Sequence, residues 1–564
     1  MQKILIVGGV AGGATAAARL RRNDETAEII VFERGEYISY ANCGLPYHIS
    51  AHIPDRNHLI LQSEEGFYER YNVDVRLESE VISINPDEKY IEIKELNTGD
   101  IYREIYDKLL LSPGSNPIKP PIEGIESDRI FCLRTIPDMD RIKRFIEREL
   151  TDKKNSEERS ESVKAVVIGA GFIGMEMVEN LNMAGIDVTV VEKRDQVMAP
   201  LDYTMASIVH RHLEEKRIEL IFEDEVVKFE TTDDHVKLSM LSGKSLKADF
   251  VILSIGVRPE ITLARSANLA IGQLGGILVD EYMQTSDPDI YAIGDAVEIY
   301  NPSTGRHALT PLAGPANKQA RIAANNIIEG NLYKYPGSIG TAIAKIFDLT
   351  VASTGTNSKQ LNRENISHIT SFTHDLSHAG YYPGADQISI RINFTQGDGR
   401  LLGAQVIGRS GVDKRIDIFS QVIKSGGTIL DLQQFEHAYA PPYSSAKDPV
   451  NNAGYVAENI LTGRMAIIHV NELSSIPSDE IVIIDVRTKG EYADGHISGA
   501  INIPVDELRR KLADIPRGKS IVTYCAVGKR GYIAYRILVQ NGFNKVYNLS
   551  GGYRTYIALK PLIK

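Results

Sequence analysis

Short runs of β-branched residues, each closed by a glycine-rich turn and a helical stretch, recur along the chain and predict strand-turn-helix units. Ile4 to Val7 leads into Gly8-Gly9-Val10-Ala11-Gly12-Gly13, an alanine-rich helix from Ala14 to Leu20, and a return strand from Ile29 to Phe32 that ends at Glu33. The same order recurs from Val166 to Ile168, through Gly169-Ala-Gly171-Phe-Ile-Gly174 and a helix, to Val188–Val191 and Glu192. Two βαβ units follow from this. Between them, Glu149 to Ser162 is charged, nearly free of apolar residues, and reads as a surface loop. Further strands are expected at 219–222, 250–255 and 290–295. Strand-like runs at 388–394 and 401–407 accompany a helix near 413–425. From about residue 465 a further α/β pattern begins.

A chain of 564 residues is too long for one core, and about three to five units are expected. Its 63 basic and 74 acidic residues give a net charge of −11 with the acids scattered, which does not suggest nucleic-acid binding. Three cysteines exclude a disulfide framework and suit a reducing compartment. The first residues lead straight into a strand, and no run approaches the roughly 20 apolar residues that span a bilayer. The expectation is a soluble cytoplasmic protein without nucleic-acid or membrane partners.

The glycines carry the first chemistry. Gly8 permits a tight turn and Gly13 close helix packing, so the helix N-terminus faces a pyrophosphate, and Glu33 is placed to accept from a ribose diol. Val10 stands at the middle glycine position. The second loop keeps all three glycines, and Glu192 favours NADH over NADPH, although Lys193 and Arg194 follow it directly.

Both loops, together with Ile290-Tyr-Ala-Ile-Gly294-Asp295-Ala, resemble the two-dinucleotide flavoprotein disulfide reductases over roughly residues 1 to 455. The resemblance implies FAD at the first site, held by residues 8–13, Glu33, Gly114, Gly294 and Asp295, with the nicotinamide nucleotide at Gly169, Gly171, Gly174 and Glu192. No metal centre is expected.

Cys43 lies ten residues beyond Glu33, where a helix is expected to start and its N-terminus to lower the thiol pKa. No second cysteine stands beside it. The frame Ser39-Tyr-Ala-Asn42-Cys43-Gly-Leu-Pro-Tyr47 resembles the coenzyme A-disulfide reductases, whose single cysteine forms a mixed disulfide with coenzyme A. That resemblance implies Thr15, Arg19, Arg22, Ser39, Asn42, Asn317 and Lys447 as coenzyme A contacts. It also implies a homodimer in which Tyr439, in Glu436-His-Ala-Tyr439-Ala-Pro-Pro, and Tyr381 stand near Cys43 of the other chain. A phenol there can donate to a departing thiolate.

The tail reads Asp485-Val-Arg487, Glu491-Tyr-Ala-Asp-Gly-His496 and Cys525-Ala-Val-Gly-Lys529-Arg530, and is similar to a single-domain rhodanese. A loop between strand and helix can cradle a thiolate or persulfide, with Arg530 closing it. Asp485 and Arg487 are expected to be structural, and Cys132 buried and inert.

The expected fold is α/β: an FAD-binding domain at 1–115 and 250–330, an NAD(P)H-binding domain at 116–249, an α+β dimerisation domain at 331–455, and a rhodanese domain at 465–564. The expected activity is NAD(P)H-dependent reduction of coenzyme A disulfide, persulfide or polysulfide through Cys43, with Cys525 carrying sulfur. The alternatives are an NADH oxidase or peroxidase cycling Cys43 through sulfenic acid, and a redox sensor or sulfur carrier without turnover.

Overall fold

Ile4, Leu5 and Ile6 are fully buried in a parallel sheet whose order is Ile290–Ala292, Lys108–Leu111, Lys3–Val7, Glu28–Phe32 and Asp74–Arg76. Strands covered on both faces read as continuous apolar runs, which is why Lys3–Val7 carries no alternation. The computed structural model describes residues 2–155, 162–473, 475–477 and 479–559. These form two units, one comprising the chain up to Asp195 with Ile218–Gly340, the other Gln196–Arg217 with the chain from Thr341 onward.

A second parallel sheet in the first unit has the order Glu219–Phe222, Asp187–Glu192, Lys164–Ile168, Phe250–Leu253 and Ile130–Phe131. In both sheets the glycine loop leaves the middle strand, where the chain winds first to one side and later to the other. Such a switch point opens a crevice at the carboxyl ends of the strands.

Two expectations are corrected here. The helix Ile136–Asn155 takes in the first half of the stretch read as a loop, because Ile142, Phe145, Ile146 and Glu149 share one buried face. Glu149 sits there against Arg129 at 3.2 Å, so a charge that looked solvated is paired inside. Residues 156–161 of that stretch lie outside the described residues. The strand from Phe250 stops at Leu253, since the Ser254 hydroxyl turns back onto the carbonyls of Ile168 and Gly169 at 3.0 and 2.9 Å.

The second unit contains an antiparallel sheet ordered Ala342–Ile346, Leu349–Gly355, Leu401–Gly408, Gln387–Phe394 and Ile369–Leu376. It also contains a parallel sheet ordered Ile467–Ile468, Val546–Leu549, Ser520–Tyr524, Ile481–Asp485 and Ile501–Asn502. The helix Pro449–Leu461 stands between these parts of the sequence. Asp448 caps it in a capping box, with Pro449 at the first position. Val456 and Ile460 of this helix pack on the core that contains Ile521, Ala534 and Leu538, and its Asn459 accepts from the Tyr532 hydroxyl at 3.1 Å. His374, buried, bridges Ser389 and Thr555 at 2.8 Å each.

Candidate active site

The two glycine loops are built alike down to single hydrogen bonds. Gly8 and Gly169 both have φ of 96°, and their N–H groups donate to Phe32 and Val191 carbonyls at 2.8 Å. A Cβ on Gly13 would strike the Gly8 carbonyl oxygen, and one on Gly174 that of Gly169, so each helix start needs glycine there. Glu33 accepts from Gly9 N–H at 2.7 Å and Gly35 N–H at 2.8 Å; Glu192 accepts from Ala170 N–H at 2.8 Å and Arg194 N–H at 2.9 Å. Each acid thus braces its own loop and keeps lone pairs for a diol. Lys193 is paired with Glu225 rather than with Glu192. Neither helix Gly12–Asn23 nor Phe172–Met183 has an acidic residue in its first turn, which leaves the positive helix ends open to an anion.

Asp295 lies in a single 3-10 turn, Gly294–Ala296, beneath the first loop. Burial pushes its carboxyl pKa up, against a hydrogen bond from Ser115 at 2.9 Å and the Arg134 charge. A desolvated carboxylate with one side-chain donor fits further hydroxyl donors, such as those of a ribityl chain. Gly114, at φ 73°, turns the chain beside Arg134. The residues present therefore fit two dinucleotides.

Cys43 occupies a 3-10 turn, Asn42–Gly44, that runs into the five-residue helix Leu45–Ile49. It is a free, exposed cysteine; its N–H donates to Asn42 Oδ1 at 3.1 Å and its Sγ lies 3.7 Å from that atom. The expected lowering of the thiol pKa is overturned. Partial burial and the carboxyls of Glu176 and Asp295 push it up, and so short a helix offers little dipole to oppose them. Ser39, at φ 49°, ties this segment to the first loop through its N–H to Gly9 O at 3.0 Å.

Several expected contacts meet between the helices Gly12–Asn23 and Ala313–Glu329. Thr15 Oγ1 donates to Asn317 Oδ1 at 2.6 Å and Arg19 Nε to Asn325 at 2.9 Å, while Arg22 is exposed at the end of its helix.

In the second unit, the Tyr381 and Tyr439 hydroxyls are hydrogen-bonded at 3.0 Å. The bond raises the Tyr381 pKa, and both rings are exposed along with Tyr382 and Tyr443. Sequence reasoning missed what holds them. Buried Arg415 donates to Asp448 at 2.8 Å and to the Ser377 carbonyl at 2.8 Å, and Ser444 Oγ donates to Asp448 at 2.7 Å. One guanidinium thereby anchors the segments bearing both tyrosines. Lys447, next to Asp448, is exposed.

Cys525 follows the strand Ser520–Tyr524 and precedes the helix Lys529–Gln540, and it is 1% exposed. Its carbonyl accepts from Tyr553 N–H at 2.8 Å. Arg530, in the first turn of that helix, donates twice to Glu491, at 2.7 and 2.6 Å, which lowers the Glu491 pKa to about 2. Glu491 was not among the expected residues, although it stands in the Glu-Tyr-Ala-Asp-Gly-His segment. Arg487 is paired with Asp485 at 2.6 Å and lies over the Tyr553 ring. Cys132 is buried among apolar residues, which pushes its thiol pKa up. No helix among the described residues is long and apolar enough to cross a membrane.

Comparison with known proteins gives three matches along the chain. Residues 2–320 match the pyridine nucleotide-disulphide oxidoreductase family, residues 341–449 its dimerisation domain, and residues 470–559 the rhodanese-like domain. The coenzyme A disulfide reductase of Staphylococcus haemolyticus is 35% identical over 464 residues, 82% of this chain and 100% of that protein. The crystal structure of reduced Bacillus anthracis CoADR-RHD is similar at 48% identity and a TM-score of 0.95, covering 100% of this chain and 98% of the other. A NAD-dependent persulfide reductase from A. fulgidus is similar at 38% identity and a TM-score of 0.91, covering 98% and 99%.

Proposed function

The chain belongs to the pyridine nucleotide-disulphide oxidoreductase family, and from that premise we propose that it is an FAD- and NADH-dependent reductase of coenzyme A disulfide or coenzyme A persulfide. The observation that carries this reading is Cys43, a free exposed thiol without a partner cysteine, in the same unit as two acid-braced glycine loops. A lone sulfur that cycles through a disulfide draws its partner thiol from outside its own motif.

A flavin held by residues 8–13, Glu33 and Asp295 would supply two-electron transfer between a dihydronicotinamide and a disulfide at Cys43. The remaining steps belong to the chain. The Cys43 thiolate attacks one sulfur of coenzyme A disulfide, or the inner sulfur of its persulfide, and releases coenzyme A thiolate or hydrosulfide. Thr15, Arg19, Arg22, Ser39, Asn42, Asn317 and Lys447 bind the coenzyme A, the arginines through its phosphates. Tyr381 and Tyr439, supplied by a second copy in a homodimer, donate to the departing thiolate; their mutual hydrogen bond and exposed aromatic surroundings support this role. Cys525 carries sulfur as a persulfide, with Arg530 beside the anion. Three free cysteines fit a reducing, cytoplasmic setting.

Intact mass before and after reductant tests the reading: one coenzyme A should leave, and peptide mapping should locate it at Cys43. Cys43→Ser should abolish persulfide-dependent NADH oxidation. Retained activity in that variant, or wild-type turnover with oxygen or peroxide far exceeding that with persulfide, would replace this mechanism with another.

A further inference from the structure

A cavity of about 480 Å³ opens within the second unit, where the helix Tyr203–Glu215, the sheet that contains Gln387–Phe394 and Leu401–Gly408, and the helix Gly552–Leu559 come together. That is the size of a small-molecule site. Met205, Phe372 and Ile407 give it an apolar wall, and Ala526, the residue after Cys525, lines it as well. The wall beside Ala526 is fixed. Tyr553 and Arg554 donate their N–H groups to the carbonyls of Cys525 and Ala526 at 2.8 and 3.0 Å, and Thr555 is joined through His374 to Ser389 at 2.8 Å each. Burial pushes the His374 pKa down to about 3, so this bridge stays neutral at working pH and adds no charge to the cavity.

Three arginines line the same cavity, and they are not equally committed. Arg409 is paired with Asp348 at 3.0 Å. Arg211 lies 3.5 Å from Glu215, one turn along its own helix, in an exposed pair of the kind that contributes little. Arg554 has no carboxylate partner among the described residues; partial burial and the Arg211 charge push its pKa down. Asp386, also on the wall, does not act on Arg554. Two guanidiniums thus share a cavity that offers them one exposed carboxylate. A group with two negative charges and several acceptor oxygens restores the balance, and the planar guanidinium fork matches it.

We propose that this cavity binds a phosphate monoester, its dianionic head taken by Arg211 and Arg554 and its organic part laid on Met205, Phe372 and Ile407. A carboxylate would neutralise only one of the two guanidiniums. The ligand touches Ala526, so a phosphate-bearing thiol held there stands beside the loop that carries Cys525. Such a thiol, R–SH, is the class of sulfur acceptor the site serves. Its thiolate R–S⁻ attacks the outer sulfur of Cys525–S–SH, the sulfur–sulfur bond to Cys525 breaks, and Cys525–S⁻ and R–S–SH result. That use rests on the proposed sulfur-carrying role of Cys525, whereas the binding does not.

Calorimetric titration of the full-length, FAD-loaded protein, saturated with NAD⁺, tests the binding with phenyl phosphate. Arg211→Ala and Arg554→Ala, both changes of exposed side chains, should each weaken it about tenfold, and Arg19→Ala, in the other unit, should not. Benzoate should bind wild type about tenfold more weakly than phenyl phosphate. Absence of binding, binding that survives both cavity substitutions, or benzoate binding as tight as phenyl phosphate overturns the proposal. The use of the site is read separately, with Cys525 loaded as the persulfide. The KM for 4′-phosphopantetheine as sulfur acceptor should rise about tenfold in Arg554→Ala while that for pantetheine stays constant. Equal changes for the two acceptors would remove the acceptor role, and no transfer to either in wild type would count against Cys525 as the carrier.

Discussion

The hydroxyl groups of Tyr381 and Tyr439 share a 3.0 Å hydrogen bond although 58 positions separate them in the chain. One phenol therefore donates to the other, and only the terminal proton is available to a thiolate.

If the two phenols act as a unit in the proposed reaction, Tyr381→Phe and Tyr439→Phe should each lower kcat/KM with coenzyme A disulfide on the order of 10²-fold. The double variant should be little worse than the poorer single one. Steady-state kinetics on the three variants checks this, and multiplicative losses would mean that the tyrosines work independently.

Glu192 braces its loop through two backbone N–H groups. Glu192→Ala leaves both donors without that acceptor and should raise KM for NADH about tenfold. Flavin content should not change, because Glu33 braces a separate loop. NADPH should not be gained, since Lys193 is held by Glu225. Kinetics with both nucleotides and the flavin absorbance of the purified variant decide it.

Glu491→Gln removes the carboxylate that fixes Arg530 at the Cys525 loop. Sulfur transfer should fall about tenfold, as the guanidinium loses its bidentate partner, while Cys43-dependent NADH oxidation is retained. With the Glu491 pKa at about 2, the pair persists at every working pH, and the transfer profile should show no carboxylate limb above pH 4.

Arg415 and Asp448 form a buried pair whose loss would loosen both tyrosine segments. Arg415→Met should destabilise by about 3–5 kcal/mol, with Arg415→Met/Asp448→Leu less harmful than the single change. Asp448 has its pKa lowered, the Arg415 hydrogen bond and charge outweighing burial. Its stabilisation is complete above its unfolded pKa and is lost as the pH falls through the folded one. Acid unfolding of the wild type should therefore show a limb below pH 4 that Arg415→Met lacks, measurable by circular dichroism.

Much of this site was legible from residues whose role is local. Gly8, Gly13, Gly169 and Gly174 announce themselves because close backbone approach admits nothing larger. Glu33 and Glu192 follow at a strand end, a fixed distance from their loops. What stayed hidden depends on residues far apart meeting in space. Glu176 reads as one polar residue among Met175, Met177 and Val178; that apolar company is the only signal that its carboxyl is desolvated. Arg415 and Asp448 lie 33 positions apart in a pattern that otherwise shows only an amphipathic helix. The direction of the Cys43 pKa was hidden because burial and the carboxyls of Glu176 and Asp295, remote in sequence, outweigh the end of a five-residue helix.

The helix Pro449–Leu461 joins what sequence divides. Its cap holds the Tyr439 segment through Ser444, while Val456, Ile460 and Asn459 are built into the packing around the Cys525 sheet. A module on a flexible tether could be cut away at little cost. Removing the chain beyond residue 465 would instead strip the apolar flank of a helix whose cap, Asp448, holds the segment that bears Tyr439. The rhodanese-like tail is thus part of the frame in which Tyr381 and Tyr439 are mounted, and, if these tyrosines act as proposed, truncation should be felt in flavin-dependent turnover as well as in sulfur transfer.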